Sequence, residues 1–99
     1  MALECPIELV DDDGRVLAKA KTINVSDGGV LVPIPSENAP ACGTEVNVRL
    51  SVPRSQPNTS MFEEFSCRGL VLRNQQLADD RIVGVAIRFI TTQDLSLEV

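Results

Sequence analysis

The side chains best placed for chemistry lie in Asn24-Val25-Ser26-Asp27-Gly28-Gly29. Asn24 and Ser26 carry short donors and acceptors at alternate positions, so an extended backbone presents both on one face. Gly28 and Gly29 loosen the backbone that follows, which would let successive N–H groups converge on an anion. The same S-D-G-G run makes a good β-turn, and a purely structural role accounts for it too.

Other reactive groups lack partners. Ser26, Cys42 and Cys67 are candidate nucleophiles, but the chain contains no histidine to act as a base. Carboxylates cluster at Asp11–Asp13 and Asp79–Asp80, both in runs that read as solvated turns. Asp11-Asp12-Asp13-Gly14 also lacks the alternating ligands and distal glutamate of an EF-hand loop. The three cysteines, Cys5, Cys42 and Cys67, are odd in number and have no CxxC spacing, which suits neither a disulfide framework nor a zinc site. Cys67 sits in an apolar run and reads as a small hydrophobe. Neither an enzyme, a metal centre nor a cofactor is expected.

With 99 residues, a single domain over 1–99 is expected. Its 43% hydrophobic content is that of a globular chain. Fourteen acidic and nine basic side chains give a net charge of −5, and the aromatic residues are three Phe alone. That balance argues against DNA or RNA as partner, because phosphate-backbone affinity needs clustered cations and base stacking needs aromatics. One small anion in a local pocket remains compatible. Seven of the nine cations are Arg, the side chain suited to bidentate phosphate contacts. No apolar run is long enough to span a membrane and the first residues do not read as a signal peptide, so a cytoplasmic setting is expected. A core this small would gain from self-association into a homo-oligomer, although no symmetric face is legible.

Strand signals dominate the chain. Cys5 to Val10 is extended, Asp11 to Gly14 supplies a hairpin turn, and Arg15 to Asn24 returns as a long strand. Val30-Leu31-Val32 follows the glycine turn and should stop at Pro33 and Pro35. Ile34 to Thr44 reads as a loop. Val46, Val48, Leu50 and Val52 then alternate with polar residues, the signature of a half-buried strand, which Pro53 should end. Arg54 to Met61 reads as a loop around Pro57-Asn58. Phe65 to Leu72 is a strand with Phe65, Cys67, Gly69 and Val71 on one face, and mid-strand Gly69 marks a bulge or a close backbone approach. After a connection over Asn74 to Arg81, Ile82 to Ile90 is the most apolar segment and reads as a central strand. Six strands joined by short turns suit a small antiparallel β-barrel, and Thr91 to Val99 could add at most a turn or two of helix.

This ordered series resembles the PilZ family of bacterial cyclic di-GMP receptor domains. Asn24, Ser26 and Gly29 match the family's D/N-x-S-x-x-G motif, followed by the strand Val30-Leu31-Val32. Gly43 to Leu50, Cys67 to Arg73 and Val83 to Phe89 are similar to its later strands, so the likeness runs from about Cys5 to Ile90. The resemblance implies a six-stranded PilZ-like β-barrel without enzymatic activity. It implies cyclic di-GMP as ligand, a protein partner that the domain regulates, and a ligand site at Asn24, Ser26, Gly28 and Gly29, with Gly29 shaping the turn. One departure matters. Ligand-binding members carry R-x-x-x-R just before the first strand, whereas Met1-Ala2-Leu3-Glu4 holds no basic residue and the first is Arg15. Two lost charged hydrogen bonds would weaken binding by roughly 3–6 kcal/mol. Arg15, Lys19, Lys21, Arg68 or Arg73 would compensate if the fold aimed them at the turn. Without compensation, the expected role is a degenerate domain that binds protein and no nucleotide.

Overall fold

The computed structural model describes residues 1–56 and 59–97. Its strands are β1 (Pro6–Val10), β2 (Val16–Lys21), β3 (Asn24–Ser26), β4 (Gly29–Pro35), β5 (Glu45–Gln56), β6 (Thr59–Gln76) and β7 (Ile82–Phe89). All pair antiparallel, in the order β2-β1-β5-β6-β7-β4-β3. The two edges of this sheet, β2 and β3, are consecutive in sequence, with only Thr22 and Ile23 between them. The run from Val16 to Ser26 therefore pairs first with β1 and then with β4, which curls the sheet into a half-barrel. The expected second strand, Arg15 to Asn24, is broken at this corner. Asn24–Ser26, expected in the turn apart from Asn24 itself, forms a short strand that raises the count from six to seven.

Thr22 makes the corner. Its hydroxyl accepts from the Cys5 N–H at 2.8 Å and donates to the Leu3 carbonyl at 2.6 Å. Its N–H donates to the Cys5 carbonyl at 3.0 Å, and the next N–H, on Ile23, already donates to Leu31 of β4 at 2.8 Å. Thr22 is 1% exposed, so each of these polar groups needs a partner within the protein.

Two expected strand ends do not fall at their prolines. On β4, Leu31 directs its carbonyl toward the β3 side and Ser36 bonds to Arg81 on the β7 side. Pro33 and Pro35 share the parity of Leu31, so their missing donors face the seam beyond Asn24, on the Thr22 side, where no ladder runs. On β5, Val71 N–H donates to the Thr44 carbonyl, so even-numbered residues face β6. Pro53 therefore turns toward β1, whose pairing has stopped at Leu50, and β5 runs on to Gln56. Residues 54–56 and 59–61, expected in a loop, extend the β5–β6 ladder; Pro57 and Asn58 lie outside the described residues. Similarly, β6 continues to Gln76, and Ser36–Asn38 forms a short 3-10 turn inside the expected loop.

The inward faces form one core. Val46, Val48, Leu50 and Val52 meet Val30, Val32, Ile34, Val85, Ile87 and Phe89, as the alternation implied. Each fully buried aliphatic side chain of this kind contributes roughly 1.5–3 kcal/mol. Gly69 is a close-approach position, because a Cβ there would lie 2.5 Å from the Ile87 Cγ2. The bulge itself lies further along, between Val71 and Arg73. Residues 91–97 form no helix; they run irregularly across the barrel end and bury Leu95 completely. Among the described residues, no helix is long and apolar enough to cross a membrane.

Thr22→Val keeps the shape of the corner but leaves the Cys5 N–H without its acceptor. It is expected to destabilise the fold by about 1–3 kcal/mol, while Thr22→Ser should cost less, read as midpoints of chemical unfolding. Equal midpoints for the valine and serine variants would refute this role for the hydroxyl.

Candidate functional site

The hairpin β3–β4 sets Asn24 opposite Leu31 and Ser26 opposite Gly29. Val25, between them, is 1% exposed and points into the core, so Asn24 and Ser26 both face outward. Pairing carries this outer face across the sheet in two rows. One runs Ser26, Gly29, Arg88, Leu70; the other runs Asn24, Leu31, Ala86, Arg73. On the ~4.8 Å interstrand repeat, Arg88 stands about 10 Å from Ser26 and Arg73 about 14 Å from Asn24. Among the described residues no hydrogen bond joins these side chains to one another, and strands at this backbone spacing present them to one extended ligand.

The bulge in β6 decides which side chain joins the row. Val71 faces Ile87, and the next pair is Arg73 with Ala86, so Leu72 is the extra residue. In an unbroken ladder Leu72 would face Ala86 and Arg73 would turn toward the core. Bulges re-aim side chains in this way.

Between the rows lies an open depression of ≈ 460 Å³, lined by Asn24, Ser26, Leu31, Leu72, Arg73 and Arg88 among others. Its lining contains two arginines and no carboxylate. The depression around Pro35 to Glu37 and Asp79 to Ile82 carries three carboxylates, and that around Asp11 and Arg68 carries two. Among the described residues, no ion pair engages Arg73 or Arg88. Of the other cations considered, Lys19 pairs with Glu8 at 3.9 Å. Arg68 is engaged by Asp12 and Glu45, and the Asp12 hydrogen bond above all raises its pKa. Arg15 and Lys21 do not line the depression. Arg88 was not singled out in the sequence, although a lone charge inside the most apolar segment was a signal of an exposed mid-strand face.

The turn itself is tightly bonded. The Gly28 N–H donates to Ser26 Oγ at 3.2 Å, and the Ser26 hydroxyl reaches the Gly29 carbonyl at 3.4 Å. Neither Gly28 nor Gly29 has positive φ; the glycines that do are Gly14, at 84° in the first hairpin, and Gly43, at 89°. Gly29 is required for close approach, since a Cβ there would meet the Ile87 carbonyl oxygen at 2.2 Å. At Gly28 the nearest such contact is 3.8 Å. Asn24 Oδ1 accepts from the Met1 ammonium at 2.8 Å, and Val25 N–H donates to the Met1 carbonyl at 2.9 Å. The segment Met1 to Glu4, where the resemblance implied paired arginines, thus runs beside the motif.

The candidate nucleophiles are spread apart. Burial pushes the Cys5 and Cys67 thiols up, at Cys5 against the opposing pull of the Thr22 hydrogen bond and Arg54. Such thiols are poor nucleophiles at neutral pH. Cys42 donates to the Leu72 carbonyl at 2.8 Å. Asp11 Oδ1 accepts from the N–H groups of Asp13 and Arg15, both at 2.9 Å, as expected of a closed turn. Among the described residues, no cluster of three or more metal-ligating side chains occurs.

A family model described as "PilZ domain" matches residues 1–98. No curated protein matches the chain. The solved structure of the Bacillus subtilis inhibitor of motility (MotI/DgrA) is similar, with a TM-score of 0.76 at 10% sequence identity. The match covers 95% of this chain and 42% of that one, so the chain spans under half of that protein, and at this identity the likeness concerns the fold.

Gly29→Ala is expected to force β4 away from β7 and to cost about 1–3 kcal/mol, with a melting temperature lowered by several degrees. Gly28→Ala should change stability by less than about 0.5 kcal/mol. Thermal unfolding of the two variants checks the contrast, and a harmless Gly29→Ala would contradict it.

Proposed function

The chain belongs to the PilZ domain family, a family of non-enzymatic cyclic di-GMP receptors, and from that premise we propose that it binds cyclic di-GMP on the outer face of β3, β4, β7 and β6. The observation that carries this reading is that Arg73 and Arg88, which form no ion pair among the described residues, line the same depression as Asn24 and Ser26, with no carboxylate in its lining. A guanidinium makes bidentate, charge-assisted hydrogen bonds to phosphate oxygens. Leu31 and Ala86, between Asn24 and Arg73 in the second row, form with the bulge residue Leu72 an apolar floor on which a flat purine can lie. Asn24 supplies an amide donor and acceptor for a base edge, and the motif glycine keeps the floor open beside Ser26. In this reading Arg73 and Arg88 stand in for the paired arginines that Met1 to Glu4 lacks. Binding alters a protein partner, and the three free thiols fit a cytoplasmic setting.

Titration calorimetry of the protein with cyclic di-GMP tests the proposal. Measurable heat is expected, with affinity falling as salt rises because two arginines contact phosphate. Arg88→Ala should weaken binding roughly tenfold or more, the effect of one lost hydrogen bond to a charged group. Asn24→Ala should weaken it by a smaller factor of about threefold to tenfold, that of a neutral one. Folded protein that gives neither heat nor a melting shift at high nucleotide concentration would overturn the proposal. It would leave a PilZ domain acting through protein contacts alone.

A further inference from the structure

The segment that follows β7 turns back under the motif and is tied there at several points. The Gln93 N–H donates to the Asp27 carbonyl at 2.8 Å, and the Leu95 N–H donates to the Asp27 carboxylate at 3.1 Å. Between these anchors and β5, the Leu95 side chain is fully buried in the core. From the opposite side, the Arg54 guanidinium donates to the Leu95 carbonyl and, at 2.9 Å, to the Ser96 carbonyl. Ser96 has φ +50°, a conformation that a non-glycine residue keeps only when its surroundings hold it. Asp94 Oδ1 takes both its N–H and its hydroxyl, each at 3.2 Å.

Asp27 is the hinge of this arrangement. It stands between Ser26 and Gly28, which line the depression, yet Asp27 does not line it. The tail holds its carboxylate on the far side of the turn. A released tail would free that negative charge beside the ground where an anionic ligand sits, and at such short range the repulsion is only partly screened.

We infer that residues 91–97 form a latch coupled to the ligand face through Asp27. The docked tail keeps the carboxylate out of the depression and favours an anion there. By linkage, an anion in the depression holds the tail down. Occupancy is thus passed to the chain beyond β7. The identity of the anion rests on the receptor reading above; the tether between tail and motif does not.

The test is a double-mutant cycle in the full chain, read by calorimetry with cyclic di-GMP and by amide hydrogen exchange. Leu95→Ala loosens the tail while leaving Asp27 charged, and Asp27→Asn keeps the acceptor for Leu95 but removes the charge. Leu95→Ala should weaken nucleotide binding roughly fivefold, the low end of ordinary coupling between sites, and should weaken it far less in the Asp27→Asn background. Saturating nucleotide should slow exchange at the Gln93 and Leu95 amides by a similar factor. Wild-type binding that Leu95→Ala leaves unchanged, in a variant whose spectrum shows it folded, overturns the latch. If the wild-type protein binds no nucleotide, the receptor reading fails by itself. The tether is then judged without ligand: Leu95→Ala must shift the Asn24 and Ser26 amide resonances, and unshifted resonances overturn it as well.

Discussion

In this sheet one piece of chain passes directly from one edge strand to the other, and that crossing is Thr22 and Ile23. Within those residues the backbone must leave the ladder of β1 and join that of β4, and Thr22 does so while buried. The buried Thr22 hydroxyl makes the exchange possible, accepting one N–H and donating to one carbonyl that would otherwise be orphaned. The consequence reaches the candidate site directly. The crossing fixes where β3 starts, and hence that Val25 points inward while Asn24 and Ser26 point outward.

Charge is distributed against the overall balance of the molecule. The chain carries a net charge of −5, yet the face around the motif presents arginines and no acid. Elsewhere carboxylates sit beside cations: Glu8 with Lys19 and Arg49, Glu63 with Arg54, Asp12 and Glu45 with Arg68, and Asp79 with Arg81. The Arg81 contacts also hold the Asp79 carboxyl below its ordinary pKa, the backbone N–H first and the side chain second. Surface pairs of this kind contribute little to stability. Their larger effect is on the field: positive potential that they would have spread is cancelled locally, and Arg73 with Arg88 stands out on one face.

Irregularities of the fold serve that face. A bulge at Leu72 turns Arg73 outward, and Gly29 lets β4 lie against the Ile87 carbonyl with no side chain between Ser26 and Arg88. The prolines of β4 face the open seam, where pairing with another chain would need donors they lack. Asp27, which takes no part in the outer rows, anchors the tail that closes the barrel end.

Much of this was legible in the residues themselves. Alternation in Val46 to Val52 named its buried face, Asp11 to Gly14 named its turn, and the ordered strands with Asn24, Ser26 and Gly29 named the family, because each is a pattern of near neighbours along the chain. The prolines misled for a definite reason: whether a missing N–H matters depends on which side of the strand it faces, and the partner strand decides that. Arg73 and Arg88 could not be placed for the same reason. They lie 49 and 64 residues beyond Asn24 (73 − 24 and 88 − 24). One extra residue in β6 moves a side chain from core to surface, since strand faces alternate with every residue. Local periodicity therefore determined the strands and the motif, while long-range register decided which charges the motif would meet.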